Sequence, residues 1–299
     1  MFDHFVWSVL VVPAVIAGLA LVSADRMPPG RAAAVLAWSA AGAAAASTVN
    51  LALFTVKAVA ELPVPGQWLG WSSVVIARDT QTVPWVSWLS AVLFLASMAA
   101  VWRTRRRHRS ALAVITGLGD LPADREVIVV PDPAPEAFSV EGPPGRIVVT
   151  TGMLDLLTDQ QYAALLAHER EHLRGGHHRL ARTAELACAA HPLLRVLAIR
   201  IDYLVERAAD ERAAAAVGDR RSVALALGAA ALAGPRTPAG LHLAERPGVV
   251  PKRVRELLMP RRRPLSWLYL LLPGALAAFS LVWTVEAARD LLELFHAAA

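Results

Sequence analysis

Sulfur and charge are both scarce in this chain of 299 residues. A single cysteine, Cys188, excludes an intrachain disulfide and any metal site built on several thiolates. Charged residues make up only 18% and apolar ones 56%, which is too apolar for an ordinary soluble domain. Four stretches lack charge altogether: Phe5–Ser23, Ala32–Val56, Val83–Trp102 and Leu265–Val285. Each supplies close to the ~20 helical residues that a ~30 Å bilayer core requires. Trp85, Trp88, Trp102, Trp267, Tyr269 and Trp283 fall near their ends, where interfacial aromatics belong. The opening MFDHF carries Asp3 and no Lys or Arg, so the first stretch lacks the basic start of a cleaved leader and reads as a span.

Positive charge is missing from most of the remaining chain as well. Of 30 Lys and Arg, 25 lie between Arg103 and Arg263, and Arg26 and Arg31 lie in the first short loop. Basic loops stay cytoplasmic. The expected orientation is therefore N-terminus outside, loop 24–31 inside, loop 57–82 outside, segment 103–264 inside and C-terminus outside. The Arg-rich run from Arg103 to Arg109 reads as an anchor against anionic headgroups rather than a nucleic-acid patch. The 25 basic against 18 acidic residues of segment 103–264 suit a domain lying on an anionic leaflet. The partner this implies is the lipid bilayer, with no direct nucleic-acid binding. The expected organisation is three transmembrane helices in 1–102 (about 5–23, 32–56 and 83–102), a cytoplasmic domain in 103–264, and a fourth helix with a short extracellular tail in 265–299. The fold class is a mostly α membrane protein in a cell (inner or plasma) membrane.

Inside the 103–264 segment, the third span continues as a helix until Gly117, Gly119 and Pro122 end it. Glu126–Val130 reads as a strand. Ala137–Val140 and Arg146–Thr151 are extended runs joined tightly through Glu141-Gly-Pro-Pro-Gly145. Thr158 and Gln161 fit a capping box that opens a helix ending at Gly175-Gly176. Further helices are expected over Leu180–Ala190, Leu193–Val217, Ser222–Leu232 and Pro251–Met259, with a loop over Thr237–Gly248.

Four of the nine histidines crowd into one stretch, ALLAHEREHLRGGHH. His168 and His172 stand four apart on a predicted helix, so both imidazoles share one face and can hold a single Zn²⁺. Glu169, beside the first, is placed to take a proton from water that the metal has acidified. A catalytic site needs a third protein ligand. His177 and His178 lie beyond the helix-breaking glycines and read as a solvated or headgroup-facing pair. Glu206 is the better candidate, with Asp202 one turn earlier as the alternative. Asp210, four residues after Glu206, can accept a hydrogen bond from the second ring nitrogen of a ligand histidine. Arg207, Glu211 and Arg212 fit a charged solvent face of the same helix.

H-E-x-x-H followed by E-x-x-x-D, between membrane spans, resembles the membrane gluzincins. Two branches come into question: the BlaR/MecR-like metallopeptidases of antibiotic-sensing signal transducers, and the HtpX and CAAX-prenyl-protease branch. The stretches AFSVEGPPGRIVVTTGMLDLL and ERAADERA are more similar to the BlaR/MecR-like proteins, as is the order of three spans, domain, fourth span. The resemblance implies an α+β gluzincin-type zinc protease domain between the third and fourth spans. In it His168, His172 and Glu206 are zinc ligands, Glu169 is the catalytic base and Asp210 backs a ligand. Ala137, Phe138, Ser139 and Val140 form the edge that takes a protein or peptide substrate as an added strand. His177, His178 and Arg207 are the candidates for stabilising the oxyanion. The chain departs from BlaR/MecR in one respect. Only a short stretch follows Val285, and neither Lys57 nor Lys252 has a Ser three positions before it. The extracellular penicillin-binding sensor and its S-x-x-K motif are therefore expected to be missing. The implied role is regulatory proteolysis in signal transduction, with a BlaI/MecI-type winged-helix repressor as target. The alternatives are HtpX-like quality control of membrane proteins and a non-proteolytic signalling scaffold with a structural zinc.

Overall fold

The structure is a computed structural model and describes residues 1–116, 125–233, 248–259 and 268–299. The uncharged stretches form α1 (Phe2–Arg26) and α2 (Pro29–Ala60). Two short helices follow, α3 (Pro63–Leu69) and α4 (Ser73–Arg78), and then α5 (Trp85–Thr116). The three strands are β1 (Val127–Val130), β2 (Ala137–Val140) and β3 (Arg146–Thr150). After them come α6 (Thr151–Leu156), α7 (Asp159–Arg174), α8 (His177–Ala190), α9 (Arg195–Val217) and α10 (Arg220–Leu232). The described residues close with α11 (Val249–Leu258) and α12 (Leu268–Ala298). Among them, α1, α2, α5 and α12 are the four helices long and apolar enough to cross a membrane. The expected helix stop at 117–122 lies outside the described residues, as does the loop over 237–248 apart from Gly248.

The second uncharged stretch is longer than read from sequence. At 32 residues, α2 extends about 48 Å, more than a bilayer core. Its alanines let neighbours come close: Ala32, Ala33, Ala37, Ala40 and Ala43 are buried, and a Cβ on Gly42 would stand 3.2 Å from that of Ala277 on α12. The stretch after Val285, read as a short tail, is helix to Ala298. At the far end of α2, Lys57 is fully buried and its Nζ donates to Glu61 at 2.7 Å and Thr80 at 2.6 Å.

Helices α8 and α9 form a hairpin closed by a 3-10 turn at Pro192–Leu194, because Pro192 cannot continue α8. The hairpin enters the bundle of long helices. His191 Nε2 lies 2.8 Å from the Val9 carbonyl, in the π-helical turn of α1, and Ser97 Oγ of α5 donates to the Ala190 carbonyl at 2.9 Å. One apolar core results. Ile16, Ala20, Leu36 and Ala40 of α1 and α2 pack with Ala184, Ala187, Leu197, Ile201, Leu204 and Val205 of the hairpin.

The sheet has order β1-β3-β2, with β1 parallel and β2 antiparallel to β3. Ala137 pairs with Val149 and Val140 with Arg146, so the tight connection expected between these runs is present. β2 is an edge strand among the described residues. Ile147 and Val149 bury against Tyr162, Leu165, Leu166 and Leu173 of α7, which fastens the sheet to the helix carrying the first two histidines. The capping box is formed: Gln161 N donates to Thr158 Oγ1 and Thr158 N to Gln161 Oε1 at 3.0 Å.

Candidate metal centre

Spacing of four on α7 brings His168 Nε2 and His172 Nε2 to 3.1 Å of each other. The long α9 returns past them and delivers Glu206, whose carboxylate oxygens lie 3.6 Å from His168 Nε2 and 3.5 Å from His172 Nε2. Among the described residues these three are the group whose ligand atoms all lie within 4.8 Å of one another. Asp202, the alternative, is not part of it.

The donor set fits a zinc ion. Ligand atoms held tetrahedrally at about 2.0–2.1 Å stand about 3.3 Å apart, and the observed separations bracket that value. Both histidines turn Nε2 inward and bind through Nδ1 behind: His168 Nδ1 lies 3.1 Å from Asp210 Oδ1 and His172 Nδ1 lies 3.1 Å from His177 Nδ1. This second set of contacts fixes ring orientation, as ligand histidines require.

The charged groups of the site stabilise one another. Burial opposes charge on His168, yet hydrogen bonds and the charges of Asp210 and Glu206 outweigh it and raise the imidazole to about 10. Burial likewise disfavours ionised Glu206, but Arg253 and the neighbouring histidines hold it well below the usual carboxylate range. Asp210 is lowered despite its burial, chiefly by Arg253. Glu169 is 6% exposed, and its Oε2 is buried with no partner among the described residues.

Two residues stand in places that the sequence reading did not give them. His177 is not solvated but 4% exposed and lies behind His172. The glycines that end α7 also turn the chain back. Gly176 adopts φ +59, and a Cβ on Gly175 would come within 2.5 Å of the His177 ring. Arg253, 2% exposed on α11, donates to Glu206 Oε2 at 2.8 Å and to both oxygens of Asp210 at 2.8 and 2.7 Å. A basic residue among others before the last span gave no local sign of this.

The remaining candidates are placed as follows. Ala137, Phe138, Ser139 and Val140 are β2, and Ser139 Oγ lies 3.2 Å from His178 Nε2. Arg207 is turned to the Asp25 carbonyl and Glu256. Of the charged residues read as a solvent face, Arg212 is exposed and lies 3.3 Å from Glu171, whereas Glu211 is partly buried and ties α9 to Arg220 of α10 at 2.6 Å.

Residues 101–234, which hold the histidines and Glu206, match the model of Peptidase family M48, a family of zinc metallopeptidases. The segment is thus similar to the M48 metallopeptidases, in a chain whose described residues include four helices long and apolar enough to cross a membrane. A protease HtpX homolog of Moorella thermoacetica is 40% identical over 62 residues, 20% of each chain. A protease HtpX homolog of Tropheryma whipplei is 37% identical over 65 residues, 21% of each. The matched stretch thus spans about a fifth of these relatives' length. No solved structure matches.

Proposed function

We propose that the chain is an integral-membrane zinc endopeptidase with its active site on the cytoplasmic side. The observation that carries this reading is the inward-facing set of His168, His172 and Glu206, with the buried Glu169 Oε2, which has no partner among the described residues, next along the same helix. Zinc held by the three ligands would supply a Lewis acid and lower the pKa of water to about 7. Glu169 accepts the proton of the attacking water and passes it to the leaving amine. Asp210 keeps His168 in the tautomer that presents Nε2. The edge of β2, Ala137–Val140, which has no further strand beside it among the described residues, takes the substrate backbone as an added strand, with His178 alongside. The cluster of Lys and Arg between Arg103 and Arg263 supports the cytoplasmic placement.

Two substrate classes remain in play. The motifs shared with BlaR/MecR-like proteins support cleavage of a winged-helix repressor. The relatives named as HtpX homologs support an HtpX-like reading. Recovery of one repressor cleaved at one bond in cells would favour the first, and a broad set of cleaved membrane proteins the second.

The test of the chemistry uses full-length protein in detergent. Zinc per chain and casein cleavage are measured for wild type, Glu169→Gln and Glu206→Ala. Near one zinc in wild type and Glu169→Gln, less in Glu206→Ala, and cleavage only by wild type is the expected pattern. Cleavage by Glu169→Gln at the wild-type rate would sink the proposed base. Zinc absent from all three would leave a membrane scaffold.

A further inference from the structure

The metal centre, taken on the zinc reading above, holds three carboxylates: Glu169, Glu206 and Asp210. Arg253 is the cation that faces two of them. With neutral histidines and a divalent ion, the three negative and three positive charges cancel. Charge balance alone would be met by any cation there, but the contacts are more specific. Arg253 Nη1 grips Glu206 Oε2 at 2.8 Å, while Nε and Nη2 take both oxygens of Asp210 at 2.8 and 2.7 Å. A planar guanidinium can bridge two carboxylates in this way, and a point-charge ammonium cannot.

The helix that presents Arg253 is itself fixed at both the backbone and the core. Arg220 donates to the carbonyls of Glu256 and Leu257 at the end of α11, at 2.9 and 2.7 Å. Leu257 buries with Ala164 of α7 and Ala213 and Ala214 of α9. α11 is thereby held against the two helices that carry the ligands.

We propose that Arg253 is a positioning residue for the metal centre: its fork couples Glu206 to Asp210 and holds Glu206 Oε2, the oxygen turned toward His168, so that Oε1 faces His172. Glu206 has a flexible side chain and comes from a different helix than the histidines. Asp210, held at once by His168 and Arg253, is the fixed post to which that side chain is tied. The same guanidinium therefore joins the third ligand to the residue that orients the first.

Charge and geometry make opposite predictions. If Arg253 acted only as a charge, Arg253→Met would bind zinc more tightly, since a repelling cation is gone, and Arg253→Lys would match wild type. If the fork positions Glu206, both variants bind more weakly, by about 10–100-fold, as other supporting contacts to metal ligands do. The experiment measures zinc affinity by chelator competition and the visible absorption of the Co²⁺-substituted protein, using full-length wild type and both variants in detergent. kcat and KM for casein are followed alongside. The expected result is weaker zinc binding, an altered cobalt spectrum and a fall in kcat at little-changed KM in both variants. Arg253→Lys alone decides the matter if Arg253→Met fails to elute as a folded species, because it keeps the buried charge. Wild-type affinity and cobalt spectrum in Arg253→Lys would overturn the proposal. A wild-type protein that takes up neither zinc nor cobalt would refute the metal reading itself, and the wild-type arm separates that failure from the other.

Discussion

Asp210 Oδ1 lies 3.1 Å from Nδ1 of His168, while the opposite ring nitrogen faces Glu206 at 3.6 Å. One side chain of α9 therefore supports a histidine of α7 from behind, and another, one turn away, closes the site in front. Asp210→Ala leaves the His168 ring without its acceptor and Arg253 without its main partner, both buried. Stability should fall by about 3–5 kcal/mol, the cost of breaking a buried ion pair from one side. Zinc affinity should fall about 10–100-fold. Asp210→Asn, which retains an acceptor oxygen, should lose less of both. Thermal unfolding and chelator competition measure the two effects.

His177 and His178 are adjacent in sequence but have different neighbours. His177→Ala removes the contact 3.1 Å behind His172 and should weaken zinc about 10–100-fold. His178, beside Ser139 on the edge strand, should retain zinc when changed to Ala and raise KM for a peptide substrate. Zinc content after dialysis, with KM measured on the same preparations, separates the two roles. Equal zinc loss in both would refute this division.

Gly152 has no room for a side chain. A Cβ there would lie 2.0 Å from the carbonyl oxygen of Pro133, a backbone atom that cannot swing aside. Gly152→Ala should cost at least the ~1–3 kcal/mol typical of overpacking, since the backbone between β1 and β2 must move. Gly218 ends α9 at φ +71 in open space. Its change to Ala meets only local strain, ~1–2 kcal/mol. A lower melting point for Gly152→Ala than for Gly218→Ala is the expected order.

Lys57 is fully buried between Glu61 and Thr80, with Asp79 at 3.8 Å. Lys57→Met removes the cation facing Glu61, which keeps the Ser87 hydroxyl at 2.9 Å, and should destabilise the protein by about 3–5 kcal/mol. The double change Lys57→Met with Glu61→Gln should recover part of that loss. An additive double mutant in thermal unfolding would show that the pair is not coupled.

Much of the site was legible because its information is local. His168 and His172 share a helix face by spacing alone, and the Thr158 capping box and the Gly175-Gly176 stop mark the ends of that helix. Glu206 and Asp210 were found by the same four-residue rule. Arg253 was not legible, because its partners are brought to it only by the docking of α11. In the sequence it has the same character as the arginines of a headgroup-facing run. His177 was missed for a different reason. A glycine pair was read as taking the chain away from the site, but a left-handed Gly176 reverses direction within one residue. The path of the α8–α9 hairpin was also hidden. Its apolar face shows that something must cover it, and does not say that α1 and α2 do.

That hairpin bears on what can be detached from the protein. Leu194, Leu197, Ile201, Leu204 and Val205 are covered in part by α1 and α2. Uncovering five such side chains would forfeit on the order of 10 kcal/mol, as much as the net stability of a typical domain. The helix that supplies Glu206 is the one that would be stripped. Helices α1 and α2 are therefore the rear wall of the candidate metal centre rather than its mooring, and a fragment trimmed at Arg103 would lack part of its own interior.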